Sequence, residues 1–562
     1  MEKHTDDGIP APASTPQRQS WSKARIAVAG IALLSFVTLL PASPGCLHGF
    51  KAEPYALEHA RCPAQPKPLH PATTIHWDDE KRAASIELFR AAVRIPTQSY
   101  DDNGDPGVDP RWAPFHDFID WLGGAFPTAW KEANVEFVNT LGIVATFQGS
   151  DESLKPLLLM SHYDVVPVPN NTFRRWTHGP FSGDLADGWV WGRGSADDKS
   201  LLVSQWEAIT FLLESGWKPR RTVIITHGFD EEEVHARRGQ GQIAPFLEKR
   251  YGRNGLLMVV DEGSGTGEMY GGAFALPGTG EKGYLDIVMR VGTPGGHSSM
   301  PPRHTGIGIM AQLVNALEEN PFESTLTPAS PLLQGVACLA QSKSFPKKYK
   351  PLLKTQKGWA KLARLMADEG AMQRALVTTT IAVDVINGGV KVNALPELVE
   401  AYVNFRIDFS ESLKSTKAHV EKIAAKVAKK HDLEFRAWSG DEKNPPSGRF
   451  LTLEVLGAPL EPAPNTPTSG GVWELFAGTV RAAIPSPDGE PLIVAPFATP
   501  GNTDCKMYYN LTRNVYRFMG SNMANMANIH TVDEKFKADE HHRVVDWVHA
   551  LIQNADAYNG EQ

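Results

Sequence analysis

Two hydrophobic periods alternate along this chain, and the switches between them mark its elements. Between residues 135 and 265, short apolar runs are separated by stretches of helical spacing. The runs are Phe137–Asn139 with Ile143–Phe147, Leu157–Met160, Val223–Thr226 and Leu256–Val260. Their brevity, their content of Leu, Val and Ile, and the polar residues bounding them predict strands. Helical spacing predicts helices over about Lys199–Glu214 and Gln242–Tyr251. The first carries Leu201, Leu202, Trp206, Ile209, Leu212 and Leu213 on one face, with Gly216 as a stop. Residues 80–95, with Ala83, Ile86, Leu88, Phe89 and Val93, and residues 112–121 continue in the same style. Strands alternating with helices predict an α/β layered sheet.

The pattern changes after Gly283. A strand over Tyr284–Val291 is followed by a Gly/Pro-rich turn and a helix over about His304–Glu318. Two strands around Gly388-Gly389, a helix over Ser412–Lys430 and a strand over Phe435–Trp438 follow. That order, β-α-β-β-α-β, is ferredoxin-like. Residues 325–375 interrupt it as a Lys-rich amphipathic insertion. Residues 440–470 read as Pro-rich loop, before helix, strand (Leu492–Pro496) and a last helix over about Ala538–Tyr558. With 562 residues the chain exceeds one ordinary core. The predicted design is an α/β mixed-sheet domain in two parts, 81–283 and 441–562, interrupted by an α+β lid domain, 284–440.

The N-terminus is a different kind of sequence. Residues 1–22, rich in Pro, Ser, Thr and charge, read as a disordered tail. Lys23 and Arg25 precede the apolar run Ile26–Leu40, closed by Pro41 and Pro44. Residues 23–44 therefore predict a cleaved secretory signal or an uncleaved signal anchor, the latter attaching the chain to a membrane. Residues 45–80 read as a tether. The rest of the chain is then expected in the secretory pathway, lumenal or secreted, where the sequons at Asn170 and Asn510 become usable. Cys46 and Cys62 are the candidate pair to bridge there, with two free thiols as the alternative. None of the four cysteines forms a CxxC, which argues against a thiolate zinc site. A net charge of -8 argues against a nucleic-acid partner.

Chemistry enters where the apolar runs end. One ends in Ser161-His162-Tyr163-Asp164, a second in Phe229-Asp230-Glu231-Glu232-Glu233, a third in Asp261-Glu262-Gly263. Between the first two lies the Gly-rich phrase Gly192–Lys199, containing Asp197-Asp198. Taken singly, a His-x-Asp pair is most often a surface turn, an acidic run a solvated loop, and an Asp before a helix a cap. Three such clusters at the carboxyl ends of adjacent strands share the place where α/β sheets bind ligands. Gathering acids there is costly unless a cation neutralises them. A two-metal hydrolase site needs this composition: His and carboxylate ligands, one bridging carboxylate, and a general base. His162 suits a neutral imidazole ligand, oriented by Asp164. Asp197 suits the bridge. Of Glu231 and Glu232, one ligates and the other shuttles protons. Asp261 completes a shell, with Glu262 as the substitute, and His530 supplies a last ligand from far along the chain.

As an ordered set these phrases, with Gly295-Gly296-His297, Lys391-Val392-Asn393 and Ile529-His530, resemble the di-zinc peptidase family that includes carboxypeptidase S, aminoacylase and glutamate carboxypeptidase. The match runs from about residue 80 to the C-terminus and is nearest the carboxypeptidase S (Gly-Xaa carboxypeptidase) branch. The resemblance implies two zinc ions, one on His162, Asp197 and Asp261, the other on Asp197, Glu232 and His530. It implies a cis Asp197-Asp198 bond, Glu231 as general acid/base and Asp164 orienting His162. His297 would stabilise an oxyanion, often across a dimer formed through the lid, while Asn393 and Arg406 hold substrate, Arg406 by its α-carboxylate. The implied reaction is hydrolysis of a small peptide next to its free C-terminal residue by a metal-bridged hydroxide. The alternative is an N-acyl-amino-acid amidohydrolase, and a non-catalytic binding protein on the same scaffold is the further rival. A vacuolar location is also part of the resemblance. Two departures stand out. The acidic run reads as one residue longer than the family pattern, which leaves Glu232 and Glu233 as the alternative base and ligand. Asn502 stands where Gly is more usual.

Overall fold

The structure, a computed structural model, describes residues 58–234, 237–440, 446–487 and 489–560. The expected tail, the apolar segment 23–44 and Cys46 lie outside these. Among the described residues no helix is long and apolar enough to cross a membrane.

A ten-stranded mixed sheet forms the main layer. Its path begins with strands Asn134–Val138 and Gly142–Phe147 and continues through Val223–Gly228, Leu157–His162, Met258–Met269 and Val515–Asn522. The His162 strand lies parallel to both neighbours, with His162 opposite Gly228 and Leu159 opposite Val260. That register brings the ends of the His162 and Gly228 strands level with Asp261 and Glu262, which lie inside the third strand because it runs on to Met269. Both faces are covered. Leu157, Leu159, Val223, Ile225, Met258 and Val260 pack with Leu202 and Trp206 of helix Lys199–Glu214 and with Val544 and Leu551 of helix Ala538–Ala557. Leu158, Met160, Ile224 and Val259 pack on the opposite side, against Ile243 and Leu247 of helix Gln240–Tyr251. Burial on two faces is why these strands read as unbroken apolar runs instead of alternating ones.

The inserted domain is a five-stranded sheet in the order Thr380–Gly388, Leu398–Ile407, Gly283–Gly292, Phe450–Leu460, Glu434–Ala437. Helices Gly306–Glu318 and Leu413–Lys430 cover one face, with Leu313, Val420 and Val403 in the core between. The second helix starts at Ser412, whose side chain and that of Ser415 cap each other's backbone N–H. Strand Phe450–Leu460 falls in the stretch read as loop, and it carries the lid sheet past residue 441. Its alternation is of strand type: Leu451 and Leu453 join the core beneath the helices, while Thr452 and Glu454, also buried, lie outside that core. The surrounding prolines masked that signal, although no proline interrupts Phe450–Ala458.

Residues 326–377 fold as a helical cluster against the main sheet's edge, with Phe274 and Leu276 in its core. The expected tether is docked chain from residue 62 onward. Leu69 N–H donates to Gly478 O (2.8 Å), the Thr73 hydroxyl and N–H both reach Gln553, and Trp77 Nε1 donates to Asp546 (2.9 Å). Cys62 is disulfide-bonded to Cys338 in the helical cluster, which corrects the expected Cys46–Cys62 pairing. The partner comes from 276 residues away in sequence, so proximity along the chain was no guide.

Candidate metal centre

Three backbone devices place the cluster. His162 is the last residue of its strand, and its Nδ1 donates to Asp164 O (3.0 Å), leaving Nε2 toward the cluster. Asp164 is fully buried. Its Oδ1 accepts the Glu231 N–H (3.1 Å), and its Oδ2 accepts the Glu232 N–H (3.0 Å) and the Ser99 hydroxyl (2.7 Å). One carboxylate thus joins the His162 strand end to the acidic loop. The third device is Glu534. Its Oε1 accepts from the backbone N–H of Gly194 (3.0 Å), Ala196 (3.0 Å) and Asp197 (3.3 Å), and its Oε2 pairs with the buried Arg193 (2.5 Å). Those contacts hold the Gly-rich turn that presents Asp197 before helix Lys199–Glu214. The Asp197-Asp198 bond is cis.

Asp197 lies between two imidazoles. Its Oδ1 is 3.0 Å from His162 Nε2 and its Oδ2 is 3.1 Å from His530 Nε2. His530 also reaches Glu232 Oε1 (3.1 Å). Donor atoms lie within 4.8 Å of one another in the set His162, Asp197, Glu262 and in the set Asp197, Glu232, His530. Glu231 joins His162 and Glu232 in a third such set. Glu233 turns away to Arg238 Nη1 (2.6 Å), so the pair facing the cluster is Glu231 and Glu232, not Glu232 and Glu233.

Asp261 is not in the cluster. Its Oδ2 accepts the Cys505 Sγ–H (3.2 Å). Glu262 stands in its place, 3.5 Å from His162 Nε2. Strand alternation is the reason. Asp261 shares a face with Val259, on the side where Cys505 packs, while Glu262 shares the face of Met258 and Val260, the side from which helix Lys199–Glu214 delivers Asp197.

The chemistry of this donor set fits two divalent cations. No Lys or Arg among the described residues lies within ion-pair distance of Asp197, Glu231, Glu232 or Glu262. Burial pushes Glu232 up to about 7, reinforced by Asp197. Burial also raises Glu231 and Glu262 well above the carboxylate range, with Glu262 and Asp197 respectively adding to the effect. Hydrogen bonds to Asp197 and Glu232 hold His530 up at about 11. So many groups competing for protons in one desolvated place is the electrostatic mark of a cation site.

A cavity of about 540 Å³ opens beside the cluster. Glu231, Glu232 and His530 of the cluster line it, with Tyr284 and Arg406 from the lid domain and Arg237, Asn502 and Lys506 from the main domain. Arg406 is therefore brought to the site. His297 and Asn393 are not: both are exposed on the small ribbon where Gly296-His297 pairs with Ala394-Leu395, away from this cavity. Glu262, read from the sequence as the substitute for Asp261, takes its place, and Asn502, read as a departure from the family pattern, meets Arg406. Ser99 and Glu534 are the additions that tertiary structure makes; Glu534, four residues after His530 in the same phrase, had a signal in the sequence.

A family model, "Peptidase family M20/M25/M40", matches residues 158–554. Carboxypeptidase S of Saccharomyces cerevisiae is 37% identical over 577 residues, covering 97% of this chain and 98% of that one. The N-fatty-acyl-amino acid synthase/hydrolase PM20D1 of Bos taurus is 31% identical, covering 86% and 90%. Human carnosine dipeptidase 1 shares the fold at a TM-score of 0.58 and 13% identity, over 85% of this chain and 97% of that one. With strand-end acids gathered around a shared aspartate, and with these relatives across most of its length, the chain belongs to peptidase family M20/M25/M40.

Proposed function

We propose that the chain is a di-zinc carboxypeptidase that hydrolyses the peptide bond before a free C-terminal residue, as in a Gly-Xaa dipeptide. The observation that carries this is Asp197, one carboxylate shared by two sets of ligand atoms. His162, Asp197 and Glu262 would hold one ion, and Asp197, Glu232 and His530 the other. Glu262 here replaces the Asp261 expected from the sequence. The bound ions would lower the pKa of a water and polarise the scissile carbonyl.

The remaining work falls to side chains. Glu231 faces the cluster and is raised by burial, so it suits taking a proton from the attacking water and returning it to the leaving amine. Asp164 holds the backbone of Glu231 and Glu232 and so sets both roles from one buried group. Arg406, on the lid side of the cavity, suits the substrate's α-carboxylate. His297 and Asn393 would act in the cavity of a second copy. That reading is supported by the apolar surface around their ribbon: Val390 and Val392 are fully exposed and Met300 is 79% exposed. A secretory-pathway location, vacuolar or secreted, is supported by the Cys62–Cys338 bond and by the exposure of Asn170 and Asn510.

The test is metal content and turnover together. Loaded protein should hold two zinc ions per chain and hydrolyse Gly-Leu, lose activity to a chelator and regain it with zinc. Glu231→Ala should keep both ions and lose about 10²–10⁴ in kcat. Full activity in that variant overturns the role of Glu231. The PM20D1 relative favours a second reading on the same residues, hydrolysis of N-acyl amino acids. A higher kcat/KM on an N-fatty-acyl amino acid than on any dipeptide would select it.

A further inference from the structure

The cavity is lined by both signs of charge: Glu231, Glu232 and Glu233 supply the acids, and Arg237, Arg406 and Lys506 the bases. Neither Arg406 nor Lys506 forms an ion pair among the described residues. Arg406 is held on both sides by neutral groups. Its Nη1 donates to Asn502 Oδ1 (3.0 Å), and its guanidinium lies 4.8 Å from the Tyr284 ring centroid. Asn502 is itself anchored, since its Nδ2 donates to Lys282 O (2.7 Å). These two contacts fix which end of the amide faces Arg406. The backbone does not require Asn here, because residue 502 is outside the left-handed region. A neutral acceptor orients the guanidinium and leaves its charge available, whereas a carboxylate at 502 would consume it. Lys506 stands four residues on, in the turn Asp504–Met507, and lines the same cavity. The buried carboxylate of Asp504 feels its charge, but burial keeps Asp504 raised well above the usual range.

Resting on the proposed peptidase reading, we infer that Asn502 and Lys506 complete a carboxylate-binding corner with Arg406. Asn502 is a positioning residue that aims the guanidinium fork at the substrate's free carboxylate. Lys506 supplies a second positive charge on that carboxylate. A planar fork held in one orientation gives directional recognition, and a flexible ammonium adds charge.

The experiment uses the zinc-loaded full chain and two probes, Gly-Leu and its C-terminal amide, each measured as kcat and KM. Wild type should favour the free acid. Asn502→Gly should raise KM for Gly-Leu by about tenfold or more with kcat little changed, the range of a lost charge-assisted hydrogen bond. Asn502→Asp keeps the acceptor but adds a competing charge, so its KM should rise at least as far. Asp also loses the donor to Lys282 O, so the two probes separate the roles: a purely structural Asn502 would change Gly-Leu and its amide alike, whereas a positioning one raises KM for the free acid alone. Lys506→Gln should cut the acid-to-amide ratio of kcat/KM by about tenfold and flatten the dependence of KM on salt. Should Asn502→Gly fail to fold, Asn502→Asp and Lys506→Gln still decide. Wild-type acid-to-amide ratios in both of those variants overturn the inference. Failure of the peptidase reading itself shows earlier and separately, as a wild-type enzyme that cleaves neither probe.

Discussion

Replacing Glu262 with Gln removes a charged oxygen donor that faces His162 Nε2 at 3.5 Å and shares a 4.8 Å donor set with Asp197. Replacing Asp261 with Asn alters a group that faces Cys505 instead, and the amide oxygen can still accept the Sγ–H. The two changes are one residue apart and chemically alike, so strand alternation alone separates their effects. Losing even an outer partner of a metal ligand weakens binding by about 10–100-fold. Losing the ligand should therefore cost about 100-fold or more, roughly 2.8 kcal/mol at 1.4 kcal/mol per decade. Asp261→Asn should cost about tenfold or less. A second readout has the opposite sign. Burial and the neighbouring charge of Asp197 make Glu262 an unfavourable anion in the metal-free chain, so chelated Glu262→Gln should melt no lower than chelated wild type. The assay is zinc per chain by mass spectrometry after dialysis against a graded chelator, with thermal melts of the stripped proteins. Two ions retained by Glu262→Gln and one by Asp261→Asn would refute the assignment.

Other consequences can be checked on the same protein. Glu534→Gln leaves the Arg193 guanidinium buried without its counter-charge, which should destabilise by about 3–5 kcal/mol and weaken zinc binding by loosening the Asp197 turn; wild-type melting and zinc titration together refute it. His227 is buried, accepts from Trp206 Nε1 (2.7 Å), and is pushed by burial down to about 3. Between pH 6.5 and about 3 the unfolded chain holds a proton that the folded chain does not. Its contribution is thus full above pH 6.5 and lost as pH falls, by about 1.4 kcal/mol per unit. Chelated His227→Gln should lose correspondingly less stability than wild type between pH 6.5 and 4.5, and a parallel decline in urea midpoints contradicts this. Cys62→Ser should lower stability by about 2–4 kcal/mol, and non-reducing peptide mapping should join Cys62 to Cys338; a Cys46–Cys62 peptide refutes that pairing.

Much of the site was legible because its chemistry is compressed into strand ends. Runs such as Leu157–Met160 announce a buried strand by composition, and a His or acid directly after one has no apolar reason to be there. His162, Asp164, Glu231 and Glu232 could be read in this way, and Asp197 from the Gly-rich phrase before its helix. Glu262 was less visible because adjacent acids differ only in the face they take, and the face depends on the register of strand Met258–Met269 against its neighbours. Strand Phe450–Leu460 was hidden by the prolines around it, and the Cys62 partner by distance along the chain.

Local sequence thus determined which segments become strands and helices and which residue types crowd the strand ends, because hydrophobic period and turn chemistry act over a few residues. Only the tertiary structure decided which of two neighbouring carboxylates meets the imidazoles, which histidines reach this chain's own cavity, and what holds Asp197 and Arg406 in place. Those outcomes depend on which faces meet when distant segments pack, and Glu534 or Asn502 finds its partner only after that packing is complete.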